Sequence, residues 1–254
     1  MRLAILADVH GNLQALESVL EHAQKQNVDR IIIAGDLINY LADSRACWDL
    51  AQSLNLPVIR GNHERYIFHY NTPFALPEWS SENFKGLPWH VNQFTEAERQ
   101  AMSGLPLHLH FDNLLVTHAT YRADNETFSP ETPPETLEEM FAGVAERFII
   151  RGHNHRFFSV RFKDKLIESL GSAGLPLDGT PEAKYGIAER HGDEWHFFRH
   201  AVSYDFAGAI RRFETSGLLE AGGPIAKIAI RELQTSRDYL VRFVTEQDKW
   251  TKHK

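Results

Sequence analysis

"RLAILADVHGN", residues 2–12, decides the fold. Leu3 to Ala7 form an unbroken apolar run, as expected of a strand buried on both faces, and the run stops at Asp8 and His10. Asn12 can cap a helix in which Leu13, Leu16, Val19, Leu20 and Ala23 recur at helical spacing. The same grammar returns in "RIIIAGD" (30–36), which enters a loop at Gly35 and Asp36. A helix from about 43 to 54 leads to a third short strand, "LPVIRGNHE" (56–64). A β-α-β-α-β order implies a parallel sheet with right-handed crossovers.

The 254 residues are enough for one large domain with a substantial core, or for two small ones. A net charge of −7 without a long basic run argues against a surface that reads nucleic acid in a sequence-specific way. The single cysteine, Cys47, excludes an intrachain disulfide and a cysteine-rich zinc knuckle. No apolar run approaches a membrane span or a signal-peptide core, so the expectation is a soluble, cytoplasmic protein with no membrane partner.

Residues 66–106 read as a helical and aromatic excursion over the core (Phe74, Trp79, Phe84, Trp89, Phe94), seated on the sandwich edge in preference to capping a cleft. "LHLHF" and "NLLVTHA" are two strands around Asp112-Asn113. Pro133-Pro134 introduces a helix with Leu137, Met140, Phe141 and Val144 on one face. "FII" (148–150) is a further core strand. Beyond residue 156 the period changes to two, and antiparallel strands turn at Lys163-Asp164 and at "HGDE". Tyr204 to Trp250 reads as two helices broken at Gly222-Gly223-Pro224. The domain is expected over 1–202, with 203–254 a helical extension packed on it.

Chemistry collects at the carboxyl ends of the buried strands, where open α/β folds place their sites. Asp8 and His10 follow the first strand, Asp36 the second, Asn62 and His63 the third. His118 follows "LLVT", and His153 and His155 follow "FIIRG". Singly, each motif reads equally well as a helix cap or a turn. Together, five strand ends offering carboxylates, an amide and imidazoles are hard to explain by packing, because desolvated Asp and His are costly unless paired or ligated.

The order Asp-x-His, Gly-Asp, Gly-Asn-His-Glu, His, Gly-His-x-His resembles that of the calcineurin-like metallophosphoesterase superfamily. "SLGSAGLPLDGTPEAKYGI" (169–187) is further similar to its bacterial and archaeal phosphodiesterase-like branch. The resemblance implies an α/β fold, a four-layer α/β/β/α sandwich of two mixed sheets with C-terminal helices. It implies two divalent transition-metal ions: Asp8, His10, Asp36 and His155 hold one, and Asp36 bridges to a second completed by Asn62, His118 and His153. His153 and His155 would lie one residue apart because each serves a different ion. Oxygen and nitrogen donors suit Mn, Fe, Co, Ni or Zn alike.

The implied reaction is phosphate-ester hydrolysis by in-line attack of a hydroxide shared between the ions, with Asp36 in the catalytic set and His63 protonating the leaving group. A phosphodiester of small or nucleotide-like character is the expected substrate. Alternatives are a phosphomonoesterase or dinucleoside-polyphosphate hydrolase and, in another class, a non-catalytic metal-containing scaffold. Intact ligand positions and His63 favour the enzyme.

Two departures matter. "GDLINYLADS" replaces the Val-Asp-Arg-Gly type continuation of the protein Ser/Thr phosphatases, so the carboxylate that orients His63 there is missing, with Glu64 or Asp43 as substitutes. Ala119 stands where many relatives have Gly. Tyr121 and Arg122 would lie near the site as substrate contacts or in a plain surface loop. Arg60 and Arg151 are as readily structural pairs as phosphate contacts. Oligomeric state stays open, with the C-terminal helices the surface a second copy would use.

Overall fold

Two-faced burial divides each core strand between two cores. The structure, a computed structural model, describes residues 1–243. In β1 (Arg2–Leu6), Ala4 and Leu6 face a first hydrophobic cluster while Leu3 and Ile5 face a second. β2 (Arg30–Ile33) divides likewise, Ile32 one way and Ile33 the other. Strand side chains alternate between faces, so an all-apolar run needs cover on both sides. The first cluster is covered by α1 (Leu13–Gln24) and α2 (Ser44–Ser53).

The second cluster lies between two sheets. Leu3, Ile5 and Ile32 meet Leu114 and Val116 of β4 (Leu114–Thr117) and Phe148 and Ile150 of β5 (Phe148–Arg151). On the far side, Leu115 and Ile149 pack with Leu137, Met140, Phe141 and Val144, which belong to or follow α6 (Pro134–Met140). The result is the expected α/β/β/α sandwich. The remaining strands are β3 (His108–Phe111), β6 (Phe158–Phe162), β7 (Lys165–Ser169), β8 (Ala183–His191) and β9 (Glu194–Val202). Sheet orders are β2-β1-β8-β9 and β3-β4-β5-β7-β6, each mixing parallel and antiparallel pairs.

The third strand of the β-α-β-α-β reading shrinks to one bridge, Val58 beside Ile33. Pro57 has no amide to donate. It only accepts from Ile33 (2.9 Å), and after Ile59 bonds back (2.8 Å) the Arg60 amide turns away to Pro106.

The excursion comprises α3 (Asn62–His69), two 3₁₀ turns (Pro77–Ser80 and Glu82–Phe84), α4 (Gly86–Val91) and α5 (Glu96–Ser103). Trp79 and Phe94 join the helix-side core, as expected, together with Leu87 and Val91, whereas Phe74 is exposed. Phe84, Gly86, Leu87 and His90 also line a cleft, so the excursion does cap one, against the preference for the edge alone. α7 (Phe206–Thr215), α8 (Leu218–Ala221) and α9 (Gly223–Thr235) follow, and they share a cluster with Tyr40 and Leu41. A break at Gly222 falls where expected, but a further one at Ser216-Gly217 makes three helices instead of two, and Pro224 stands in the first turn of the last. The helical reading beyond residue 243 lies outside the described residues. Among the described residues no helix is long and apolar enough to cross a membrane.

Glu64 fixes the loops that leave this scaffold. Fully buried, it accepts the amides of Asp36 (3.0 Å) and Gly61 (2.8 Å) on one carboxylate oxygen, and those of Leu37 (2.8 Å) and Ile38 (3.3 Å) on the other. A carboxylate is suited to this because it accepts on both oxygens and donates nothing. Glu64→Gln would turn an NH₂ group against two amide donors. The expected loss is roughly 2–4 kcal/mol of unfolding free energy, from lost charge-assisted bonds and stranded buried donors. An unchanged urea midpoint for this variant would show that the four contacts do not hold the loops.

Candidate metal centre

The carboxyl ends of β1, β2, β4 and β5 converge, and the residues after them turn inward through strained backbone. Asp8 (φ 58°), His10 (53°), Asp36 (53°), His153 (69°) and His155 (56°) all occupy the left-handed region. Each such residue costs roughly 1–2 kcal/mol in L-amino acids, although Asp, Asn and His tolerate it best. Interlocking hydrogen bonds offset the strain. The amides of Asp8, His10 and Gly11 bond to the carbonyls of Gly35 (3.1 Å), Asp36 (2.9 Å) and Leu37 (3.0 Å). The His153 amide donates to the Asp8 carboxylate at 2.9 Å, and the His63 amide to Asp36 Oδ1 at 2.8 Å. Packing leaves no room for a Cβ at Gly61, which would stand 2.2 Å from Asp36 Oδ1, or at Gly152, 2.4 Å from the Ala7 methyl.

All seven expected ligands come together. Asp8, His10 and His155 form one compact group, and Asp36, His118 and His153 another. Asp36 Oδ2 stands between them, 3.2 Å from His118 Nε2 and 3.8 Å from His10 Nε2. Asn62 begins α3. Its amide edge is 3.1 Å from both His118 Nε2 and His153 Nδ1, and 3.3 Å from Asp36 Oδ2. His63 joins His10 and Asp36 in a third group, its ring edge-on to that of His10 at 4.5 Å.

Tautomers make the donor set specific. His118 Nδ1 bonds the Ala34 carbonyl (2.9 Å) and His155 Nδ1 the Leu175 carbonyl (2.7 Å), so each must carry its proton there. Their Nε2 atoms then face the cluster: His118 faces Asp36, and His155 faces His10 Nε2 (3.0 Å) and Asp8 Oδ1 (3.7 Å). A second partner on the outer nitrogen is the usual way a metal-ligating histidine is oriented.

Charge follows the same logic. Burial, with neighbouring histidines, holds His10 and His153 well below the usual imidazole range, hence neutral. Burial also holds His63 down to about 4. Burial pushes Asp8 up against the pull of His155 and His118. At Asp36 burial also pushes upward, but His118, His63 and His10 outweigh it and hold the carboxyl well below its ordinary value. His118 behaves oppositely: burial pulls it down, yet Asp36 and Asp8 raise it to about 9. Two buried carboxylates therefore draw positive charge to the point where the imidazole nitrogens converge, a demand met either by a second proton on His118 or by a bound cation. A divalent cation fits this donor set.

Other expectations fare differently. Neither substitute carboxylate reaches His63: Glu64 is committed to four amides, and Asp43 accepts from Arg212 Nε at 2.6 Å. His63 Nδ1 is buried without a hydrogen-bond partner. Tyr121 and Arg122 are not brought to the main cleft. They line a smaller cavity that His118 also lines, so they do lie near the centre; there Tyr121 stacks on His108 (4.5 Å) and Arg122 pairs with Glu126. Arg151 is fully buried and structural, donating to the Ala119 carbonyl (2.7 Å). Arg60 holds the Ser103 carbonyl (3.2 Å).

The centre opens into a cleft of about 560 Å³. Several of its residues escaped the sequence reading. Tyr40 (φ 87°) presents its ring near His10 and His63, at 5.9 and 6.0 Å. Its amide donates to His90 Nε2 (3.2 Å) and its hydroxyl to Glu232 (2.7 Å), 192 residues away. Only the adjacency of Tyr40 to the Gly-Asp motif could have suggested it. Nothing local marks His90 or Glu232.

Known proteins share this architecture. An uncharacterized protein of Methanocaldococcus jannaschii is 23% identical over 242 residues, covering 86% of this chain and 94% of its own. The crystal structure of a metallophosphoesterase from Sphaerobacter thermophilus is 24% identical with a TM-score of 0.73, covering 92% of this chain and 99% of that one. A hypothetical protein from Pyrococcus horikoshii is 18% identical with a TM-score of 0.74, over 90% and 97% of the two chains. At these identities the structures speak for the fold. The sequence profile of the calcineurin-like phosphoesterase superfamily domain matches residues 1–193, and the chain belongs to that superfamily.

Proposed function

We propose that the chain is a phosphoesterase with a two-ion centre, acting on a phosphodiester. The observation that carries the reading is the position of Asp36 Oδ2 between two sets of convergent carboxylate and imidazole donors. In this reading Asp8, His10 and His155 hold one divalent ion, and Asn62, His118 and His153 the other, with Asp36 shared. Ions bound there lower the pKa of water and neutralise charge on a phosphate. Manganese, iron, cobalt, nickel and zinc all suit the donors. Residues 1–202 act as the catalytic domain, and the segment from 203 onward as an extension that completes the cleft.

The chain's own residues do the rest. Asn62 holds its amide at the phosphate end of the cleft through its place at the start of α3. His63 faces the cleft beside His10, and a bound phosphate's negative charge favours its protonated form. Hydrolysis adds water to phosphorus and breaks one P–O bond, and His63 supplies the proton with which the alcohol departs. Tyr40 and Tyr66 wall the position of that histidine, with the Tyr66 ring 5.1 Å away.

The cleft's charge favours a diester. Among its described lining residues, Arg156 is the one arginine and there is no lysine, while Glu232 and Asp238 are acidic. A diester carries one negative charge, and a dianionic monoester would lack a cationic clamp beyond the ions themselves.

Two measurements test this. Native protein loaded with Mn is expected to retain two equivalents by mass spectrometry of the desalted sample. Asp36→Asn should retain fewer and lose more than about a hundredfold in diester turnover, beyond the effect of an outer-shell partner. Full occupancy and activity in that variant would rule out a bridging role. For His63→Ala, loss should depend on the leaving group, reaching roughly 10²–10⁴-fold with an alkoxide and far less with p-nitrophenolate. Equal losses with both would remove the proton-donor role.

A further inference from the structure

The cleft continues past the metal centre along a wall that the proposed chemistry does not use. Phe84 and Leu87 from the excursion, Leu177 from the loop after β7, Leu218 from α8, Ile225 from α9 and Leu240 beyond it line this wall. Excursion and C-terminal helices meet there closely: a Cβ on Gly223 would lie 2.6 Å from the Glu82 carbonyl, and one on Gly86 3.4 Å from Gly222 Cα. The wall is therefore built into the fold, continuous with the metal centre, and within the 300–1,000 Å³ scale of small-molecule sites at about 560 Å³ for the whole cleft.

We infer that this wall seats an aliphatic substituent of the phosphate ester, so that the substrate is an alkyl phosphodiester and not a nucleotide. The inference rests on the phosphoesterase reading for the position of the phosphate. Its own support is the apolar run of the wall itself; the cleft also carries Asn83, Thr127, Asn154 and Arg156, while the two carboxylates beside the wall are already engaged. Glu232 is the buried carboxylate there, and both its oxygens are committed, one to the Tyr40 hydroxyl (2.7 Å) and one to the amides of Tyr239 (2.7 Å) and Leu240 (2.8 Å). Asp238 accepts the Val241 amide (3.1 Å). Recognition of a base requires hydrogen-bonding edges, and a site that leaves polar atoms of its ligand unpaired in an apolar pocket selects against that ligand. An alkyl chain loses no hydrogen bonds there and gains with each buried methylene.

The test is calorimetric titration of Mn-loaded protein with methyl-, butyl- and hexylphosphonic acid, and with thymidine 5′-monophosphate. Affinity is expected to rise about fourfold per methylene along the alkyl series, with hexylphosphonate above the nucleotide. Ile225→Asp, shown to be folded by circular dichroism, should flatten that dependence. Leu177→Asn serves as a second variant, from a different segment. A flat series in the native protein, or tighter binding of the nucleotide, would overturn the inference. Because binding is read without turnover, the two readings separate. Chain-length dependence without hydrolysis of any ester upholds the apolar seat and defeats the phosphoesterase; hydrolysis with a flat series does the reverse.

Discussion

Two carboxylates removed from water, Asp8 and Asp36, are the constraint around which the molecule is arranged. An isolated carboxylate in such a place would neutralise itself by taking up a proton. Here the backbone is bent out of its preferred conformations so that histidines from four different loops surround the pair. The strain of five left-handed residues is tolerated because strand ends on two sheets hold the loops rigidly. Observed strain of this kind is a pointer to function, since packing alone would have no use for it.

That constraint reaches outward through backbone carbonyls. Ala34 and Leu175 each take a histidine proton and so decide which nitrogen faces inward. Ala34 ends the β2 run and Leu175 lies in "GSAGLP", whose Ser172 accepts the Leu175 amide and donates to the Asp8 carbonyl. The stretch that resembled a family signature in the sequence thus has a physical task. It ties the His155 tautomer to the backbone of Asp8. A substitution there would disturb the centre without touching any proposed ligand.

The layers were legible in the sequence for one reason: runs apolar on both faces can only be strands between two cores. Leu3 to Ala7 and Phe148 to Ile150 say this by themselves. The candidate site was legible because every proposed ligand stands just after such a run. What escaped has an equally physical reason. Pro57 breaks a strand that composition alone suggested, by withholding one amide. His90 and Glu232 act on Tyr40 from segments distant in the chain, and no local period or motif announces a long-range hydrogen bond. Tyr121 and Arg122 sit next to a ligand in sequence, yet the chain turns at Thr120, whose amide bonds the Ala123 carbonyl, and carries them to another cavity.

Tyr40 shows why the escaped residues matter as a set. Its amide is held by the excursion through His90, and its hydroxyl by α9 through Glu232. His90 is in turn fixed by Ser44 at the start of α2, at 3.1 Å. The ring that borders His10 and His63 is thus clamped by three parts of the chain that the motif logic treats as separate. Burial lowers His90 to about 3, which keeps it neutral and able to accept the Tyr40 amide across the physiological range. The Gly-Asp motif alone sets the position of a proposed ligand. The clamp on Tyr40 sets the shape of the space beside it, and it does so only when excursion and C-terminal helices are both in place. The extension after residue 202 therefore belongs to the cleft as much as the strands do.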